Sequence, residues 1–248
     1  MTATTTPPHD RSRLPIHRRA APLVRPGLFR FSVARFLTAL VLLFVSAPFV
    51  EEIRYGALVE VALTTAVLGT GVLAIGARRS TLILATILVV PPLLGKWLMH
   101  LWPDRFAGEI FLLGGLAFIG FVASRLLVFI LRAPKVNSEV LCAGISIYLI
   151  MGLLWGFAYM LVAHHTPDSF AFSVPPAASH EMTGFTAFYF SFMTLTTVGY
   201  GDITPVSNTA RMLAIMESMS GTLFVGVLIA RLVSLYSAPD PTEPSSGH

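Results

Sequence analysis

Six apolar stretches of membrane-spanning length constrain the fold of this chain more than any other feature. A helix that crosses roughly 30 Å of hydrocarbon needs about 20 predominantly apolar residues. The stretches lie at 31–50, 55–76, 80–102, 107–131, 138–163 and 208–236. Of the 248 residues 54% are hydrophobic and only 12% charged, whereas soluble domains average roughly a quarter charged. We therefore predict an all-α membrane protein with six transmembrane helices.

A seventh apolar piece, at about 185–196, is too short to span a membrane and runs into the segment 196–202, Thr-Thr-Val-Gly-Tyr-Gly-Asp. Non-helical backbone survives at membrane depth only where protein or a water-filled path surrounds it. We interpret 185–196 as a re-entrant helix and 196–202 as the wall of a pore. A helix C-terminus carries about −0.5 of a charge, so this helix favours a cation at the membrane centre.

The glycines of the segment suit it to cation binding through backbone carbonyls. Gly199 and Gly201 permit dihedrals that residues with a Cβ rarely adopt, so the carbonyls can all turn inward as a cage for a dehydrated cation. Val198 and Tyr200 then turn their side chains outward, and the Thr197 hydroxyl adds an oxygen at the inner end. The alternative is an ordinary glycine turn in an extracellular loop.

Through the segment 196–202 the chain resembles the potassium channel superfamily, whose filters are built from this glycine pattern. The resemblance implies a selectivity filter that binds K+ through four residues and is completed by Gly201. The four are Thr197, Val198, Gly199 and Tyr200. One segment supplies one wall, so the resemblance also implies a tetrameric pore: a homotetramer, closed by cyclic symmetry. K+ is then the permeant ligand, and no cofactor is expected.

Three residues are expected to support the filter from behind or beside it: Thr196, Asp202 and Tyr189. Asp202 either concentrates cations at the outer mouth or serves as a capping or hydrogen-bonding residue. Tyr189 is expected to donate its hydroxyl to Asp202 or to a neighbour behind the filter.

A fourth support residue, Glu217, is an acid deep within the last apolar span. Intramembrane carboxylates usually face the protein interior and mark function or a specific partner. We expect Glu217 to hydrogen-bond to Ser191 or Thr194 of the short helix, and the alternative is a role in proton-dependent gating.

The last span also carries the expected gate. Gly221 lies where the resembling channels commonly place a flexible hinge, and close helix packing is the alternative role for a membrane glycine. By resemblance, one face of this helix lines the cavity and inner mouth, where apolar rings can gate by dewetting. That face comprises Thr222, Val225, Ile229 and Val233.

Orientation follows from the basic residues. With the N-terminus inside, the cytoplasmic side receives all but four of the 17 Lys and Arg residues, as the positive-inside rule requires. The four are Arg54, Lys96, Arg105 and Arg211. The net charge of +4 therefore reflects membrane topology, and attraction to membrane lipids is a secondary effect. We do not expect nucleic-acid binding. We expect a multi-pass plasma-membrane protein with both termini cytoplasmic.

The first four spans lack a voltage sensor, although six spans with a terminal pore resemble voltage-gated potassium channels. The fourth span carries Arg125, with Arg132 at its cytoplasmic edge. One charge crossing the whole membrane is worth roughly 2.3 kcal/mol per 100 mV, so steep gating is not expected. Four domains follow. They are a disordered basic tail (1–29), a sensor-like domain without sensor charges (30–134), a pore domain (135–237) and a short tail (238–248).

Other charged residues have structural interpretations. Glu60, Lys96 and Glu109 are expected to form ion pairs near the outer leaflet, with a pocket for an ion or lipid as the alternative. His164 and His165 are expected to be solvated, with a metal site as the alternative. No spacing of Ser, His and Asp suggests catalysis, so we predict no enzyme.

The sequence therefore predicts a homotetrameric, potassium-selective channel that conducts passively and is not steeply voltage-gated. The nearest alternative is a nonselective cation channel of the same architecture. A regulatory subunit or a component of an ion-uptake transporter is a weaker alternative, and no soluble partner is indicated.

Overall fold

The computed structural model describes residues 32–50, 56–74, 79–101, 105–133, 136–173, 181–182 and 184–236. Within these ranges seven helices form, each beginning and ending within two residues of a predicted segment. They are α1 (Ser32–Val50), α2 (Gly56–Ala74), α3 (Arg79–Leu101), α4 (Arg105–Arg132), α5 (Ser138–His165), α6 (Gly184–Leu195) and α7 (Asn208–Tyr236). The predicted tails, 1–29 and 238–248, lie outside the described residues.

Five of these helices are long and apolar enough to cross a membrane. Their spans are Val33–Val50, Ser80–Leu98, Gly108–Arg132, Ser138–His165 and Asn208–Ser234. The second predicted span is α2, whose apolar part, Leu58–Ala74, is shorter. The prediction of an all-α, multi-pass membrane protein is confirmed, with five helices of full spanning length in the described part of the chain instead of the six expected.

The first four helices pack as two pairs, α1 with α2 and α3 with α4, and both α1 and α4 also contact α5. Their shared core includes Leu40 of α1, Phe118 of α4 and Ile150 of α5, all almost fully buried. Only a short connection separates α4 from α5, and Asn137 caps the start of α5 by accepting a hydrogen bond from the Val140 amide at 2.9 Å, as N-cap asparagines do. The peripheral helices thus lie against the α5 of their own chain.

The short helix α6 is held between α5 and α7. Gly152 and Gly156 of α5 face it, and an added Cβ at either position would collide with a ring of α6, namely that of Phe192 or Phe188. Small residues one turn apart let helices approach closely in membranes. The two glycines therefore fix how deeply the aromatic face of α6 seats against α5.

A two-stranded antiparallel sheet, which we did not predict, joins the loop after α5 to the loop before α7. Strand β1 (Phe170–Phe172) pairs with β2 (Ile203–Pro205). The Ser173 amide donates to the Asp202 carbonyl at 2.8 Å, and the Val206 amide donates to the Ser169 carbonyl at 2.8 Å. This sheet anchors the backbone directly after the glycine segment.

Candidate functional site

The segment 196–202 leaves the end of α6 with an alternating backbone. Thr197, Gly199 and Gly201 have φ values of +61°, +52° and +80°, whereas the intervening Val198 and Tyr200 do not have positive φ. A backbone whose φ alternates in sign in this way can align successive N–H groups on one side and leave the carbonyls to the other. An ordinary turn needs no such repeat. The segment therefore has a geometry in which consecutive carbonyls can face a common axis.

Thr197 is the outlier, because β-branched residues rarely adopt positive φ. Its amide donates to the Thr194 carbonyl at 3.0 Å, and the Gly199 amide donates to the Met193 carbonyl at 3.0 Å. The Thr196 hydroxyl donates to the Phe192 carbonyl at 2.6 Å. The last carbonyls of α6 thus hold the start of the segment in place, and backbone strain sustained in this way is typical of functional sites.

The segment is exposed in the single chain. The side chains of Val198 and Tyr200 are 51% and 71% exposed. No atom lies within 4 Å of a Cβ built at Gly199 or Gly201. A large aromatic side chain and an apolar valine are thus left uncovered by the chain that carries them.

Asp202 is fixed through both its side chain and its backbone. The Tyr189 hydroxyl donates to Asp202 Oδ2 at 2.7 Å, one of the two partners expected for Tyr189. The Asp202 carbonyl accepts from Ser173 at the edge of the sheet. Of the two roles weighed for Asp202, the structure shows the hydrogen-bonding one.

Glu217 of α7 is completely buried and links three helices. Its Oε1 accepts from the Ser191 hydroxyl of α6 at 2.5 Å, and its Oε2 accepts from the Tyr159 hydroxyl of α5 at 2.5 Å. Of the two expected partners the structure shows Ser191, whose hydroxyl also lies 2.7 Å from the Gly152 carbonyl of α5. The carboxylate therefore holds α5 and α7 to the helix that precedes the segment.

Gly221 packs tightly against the end of α6. A Cβ at this position would lie 2.5 Å from the Leu195 carbonyl oxygen and 2.8 Å from Leu195 Cδ1. This contact is the close-packing role weighed for Gly221, and it falls one residue before Thr196. The close approach of α7 to the start of the segment thus depends on glycine having no side chain at position 221.

The contact leads to a stability prediction. We expect Gly221→Ala to destabilise the protein by about 1–3 kcal/mol, the usual cost of overpacking, visible as a lower melting temperature in detergent. Gly226→Ala is the matched control, since nothing lies within 4 Å of a Cβ at Gly226 in the same helix. Equal melting temperatures for the two variants would contradict the packing role.

The expected gate residues, Thr222, Val225, Ile229 and Val233, are all exposed in the single chain. Exposure does not distinguish this face, because Met219, Leu223 and Val227 on the same helix are equally uncovered. Only 11% of the Asn208–Ser234 span is buried, against 56% of the Ser138–His165 span. Helix α7 therefore leaves most of its apolar surface without a partner in the part of the chain that the structure describes.

Sequence reasoning missed three contributors to this site. Tyr159 was not identified as a partner of Glu217, although it is an isolated hydroxyl in an otherwise apolar stretch. The Trp155 indole N–H donates to the Ser220 hydroxyl at 3.2 Å, a second link between α5 and α7. The Gly152-x-x-x-Gly156 spacing, a known signal for close membrane-helix packing, could have indicated where α6 seats.

The charged residues of the periphery pair differently from the prediction. Lys96 Nζ lies 2.5 Å from Glu60 Oε1, as expected, but Glu109 Oε1 lies 3.3 Å from His164 Nε2 instead of joining that pair. Among the described residues no group of three potential ligands could hold a metal ion.

Comparison with known proteins places the chain among ion channels and not among enzymes. A family model described as an ion channel matches residues 140–238. Protein LctB of Bacillus caldotenax is 32% identical over 127 residues, which cover 47% of this chain and 93% of that protein.

Shorter matches carry higher identity. Two-pore potassium channel 4 of Arabidopsis thaliana is 48% identical over 48 residues, covering 19% of this chain and 17% of that protein. The calcium-gated potassium channel TvoK of Thermoplasma volcanium is 48% identical over 48 residues, 19% of this chain and 14% of that protein. The chain thus spans less than a fifth of these two relatives. No solved structure matches it at a significant level.

Proposed function

The chain belongs to the potassium channel superfamily, and we propose that four copies assemble into a potassium-selective channel around the segment 196–202. Residues 135–237 form the pore domain in this proposal, and residues 30–134 surround it. The observation that carries the proposal is the alternating backbone of the segment, with positive φ at Thr197, Gly199 and Gly201. Four such segments around one axis turn the carbonyls of residues 197–200 toward a shared path.

The uncovered surfaces support assembly. Tyr200 and Val198 are exposed, and α7 is mostly unburied in the single chain. Large exposed apolar surfaces mark protein or membrane contacts. Neighbouring copies cover Tyr200 and part of α7 in the proposed tetramer, leaving the face of Val225, Ile229 and Val233 toward the inner mouth.

Selectivity in this proposal comes from the backbone. Carbonyl oxygens replace the hydration shell of K+ as it enters the filter. The C-terminal end of α6 carries a partial negative charge and points toward the pore below the filter, where it stabilises the waiting cation. Asp202, held by Tyr189, adds negative charge at the outer mouth. The channel lies in the plasma membrane with both termini in the cytoplasm, as the distribution of basic residues indicates.

Reversal potentials of the purified protein in planar bilayers test this function. With K+ on one side and Na+ on the other, the current should reverse near the K+ equilibrium potential. Reversal near zero would replace the proposal by a nonselective cation channel. The absence of any current with correctly inserted protein would favour a regulatory subunit.

We further expect only a shallow dependence of conductance on voltage. Within Gly108–Arg132, the membrane-spanning part of α4, the basic residues are Arg125 and Arg132, and Arg132 lies at its end. Even if Arg125 crossed the whole membrane field in every chain, about four elementary charges would move per tetramer. A steeply voltage-dependent channel moves roughly 12 to 16 such gating charges. A conductance–voltage curve from bilayer recordings measures this directly, and steep activation would contradict it.

A further inference from the structure

An elongated cavity lies between the peripheral helices and the helices α5 and α6. Its volume is about 760 Å³, within the range of roughly 300–1,000 Å³ that ligand pockets show. Along α4 its lining runs from Gly108 to Val122, about 21 Å at a rise of 1.5 Å per residue. The cavity is therefore long enough to take an extended chain lying parallel to the helices.

Most of the cavity wall is apolar. Leu40 of α1, Val67 of α2, Phe118 of α4 and Ile150 of α5 line it and are buried. Such walls offer little hydrogen bonding to a polar molecule and accept a hydrocarbon chain, since they are about as apolar as the lipid tails outside. The body of a ligand that fits this cavity is an alkyl chain.

Charged residues line the same cavity only at the end where α5 finishes and α6 begins. Lys96 is neutralised by Glu60 at 2.5 Å, and its ammonium also lies 5.1 Å from the centroid of the Phe111 ring. His164 Nε2 lies 3.3 Å from Glu109 Oε1. Asp168 and Glu181 also line this end and are exposed, and no ion pair to a described residue engages them. Among the described side chains that line this end, the charge left without an ion pair is therefore negative.

The cavity also reaches the helix that carries the filter. Phe188 of α6 lines it, fills the notch at Gly156 and packs edge-on against Phe44 with centroids 6.4 Å apart. A molecule in the cavity therefore touches the filter helix and the peripheral helices at once.

We propose that this cavity binds a single-chain amphiphile with a cationic amine head. Its alkyl chain lies between α1, α2, α4 and α5, and its ammonium lies beside Asp168 and Glu181. Because the chain contacts Phe188, occupancy alters potassium flux, and this consequence alone rests on the proposed function.

Photolabelling of the full-length protein in liposomes tests the binding without any ion flux. A diazirine-bearing dodecylamine and a fatty acid of the same length and label are compared, and the labelled residues are mapped by mass spectrometry. We expect the amine to label residues of the cavity, such as those between Phe111 and Val122, several-fold more than the acid does.

Two variants test the apolar wall and the two carboxylates separately. Val67→Phe places a ring in the cavity and should remove most of the labelling. The double change Asp168→Asn and Glu181→Gln should remove the preference for the amine, and Asn tolerates the positive φ of +60° at Asp168 with little strain. Glu139→Gln, at the opposite end of α5, is the control that should change nothing.

The double variant changes only exposed side chains, so the test does not depend on whether Val67→Phe folds. Equal labelling by amine and acid, or a preference that survives loss of both carboxylates, would overturn the proposed ligand. Since labelling needs no conduction, these outcomes are distinct from a failure of the channel function, which the reversal potential reports separately.

Discussion

Alanine in place of Gly199 is expected to abolish potassium-selective flux while leaving an assembled protein in the membrane. Gly199 has φ of +52°, and a left-handed conformation costs a residue with a Cβ roughly 1–2 kcal/mol. Four copies meet in the proposed filter, so the penalty is about 4–8 kcal/mol per ring. Rotation of the peptide out of this conformation relieves the penalty and turns a carbonyl away from the ion path.

The effect arises from the backbone and not from a collision, because nothing lies within 4 Å of a Cβ at Gly199 in its own chain. Gly201→Ala, at φ +80°, should behave in the same way. Gly69→Ala in α2 is the matched control, since its Cβ position is equally open and its φ is not positive. Bilayer reversal potentials measure the outcome, and unchanged selectivity in Gly199→Ala would refute the filter assignment.

The second large effect is expected at Glu217. Removal of its side chain in Glu217→Ala leaves the hydroxyls of Ser191 and Tyr159 without this partner, and both residues are fully buried. Ser191 keeps the Gly152 carbonyl as an acceptor at 2.7 Å, whereas the Tyr159 hydroxyl is left unsatisfied while buried, at a cost of about 1–3 kcal/mol. The loss should appear as a sharply lower melting temperature and as dissociation of the oligomer in detergent.

Glu217→Gln distinguishes geometry from charge. The amide has the same shape and offers an acceptor for one hydroxyl and donors toward the other, so we expect its melting temperature to stay near that of the unchanged protein. Ala and Gln variants that are both as stable as the unchanged protein would show that the hydrogen bonds of Glu217 contribute little. A strong loss in both would assign the role to the negative charge itself.

The helices could be predicted from the sequence because each is an apolar run long enough to be recognised by composition alone. Helix bounds within two residues followed from this, and so did the position of α6 directly before the glycine segment. The exception is α2, whose described apolar part is shorter than a full span.

The contacts between elements could not be predicted in the same way. Strands β1 and β2 are three residues each, too short to show a period-two pattern. The partnership of Tyr159 with Glu217 and that of His164 with Glu109 depend on how each helix is rotated about its axis, which packing decides. Gly221 is an example: a hinge and a tight helix contact both require a glycine at this position, so the sequence alone does not distinguish the two roles.

A cryo-electron microscopy map of the assembled protein in a potassium buffer would show the proposed filter directly. We expect four chains around one axis, with the carbonyl oxygens of residues 197–200 facing it and a column of ion density between them. Segments that lie apart, or carbonyls that face away from a shared axis, would contradict the proposed filter.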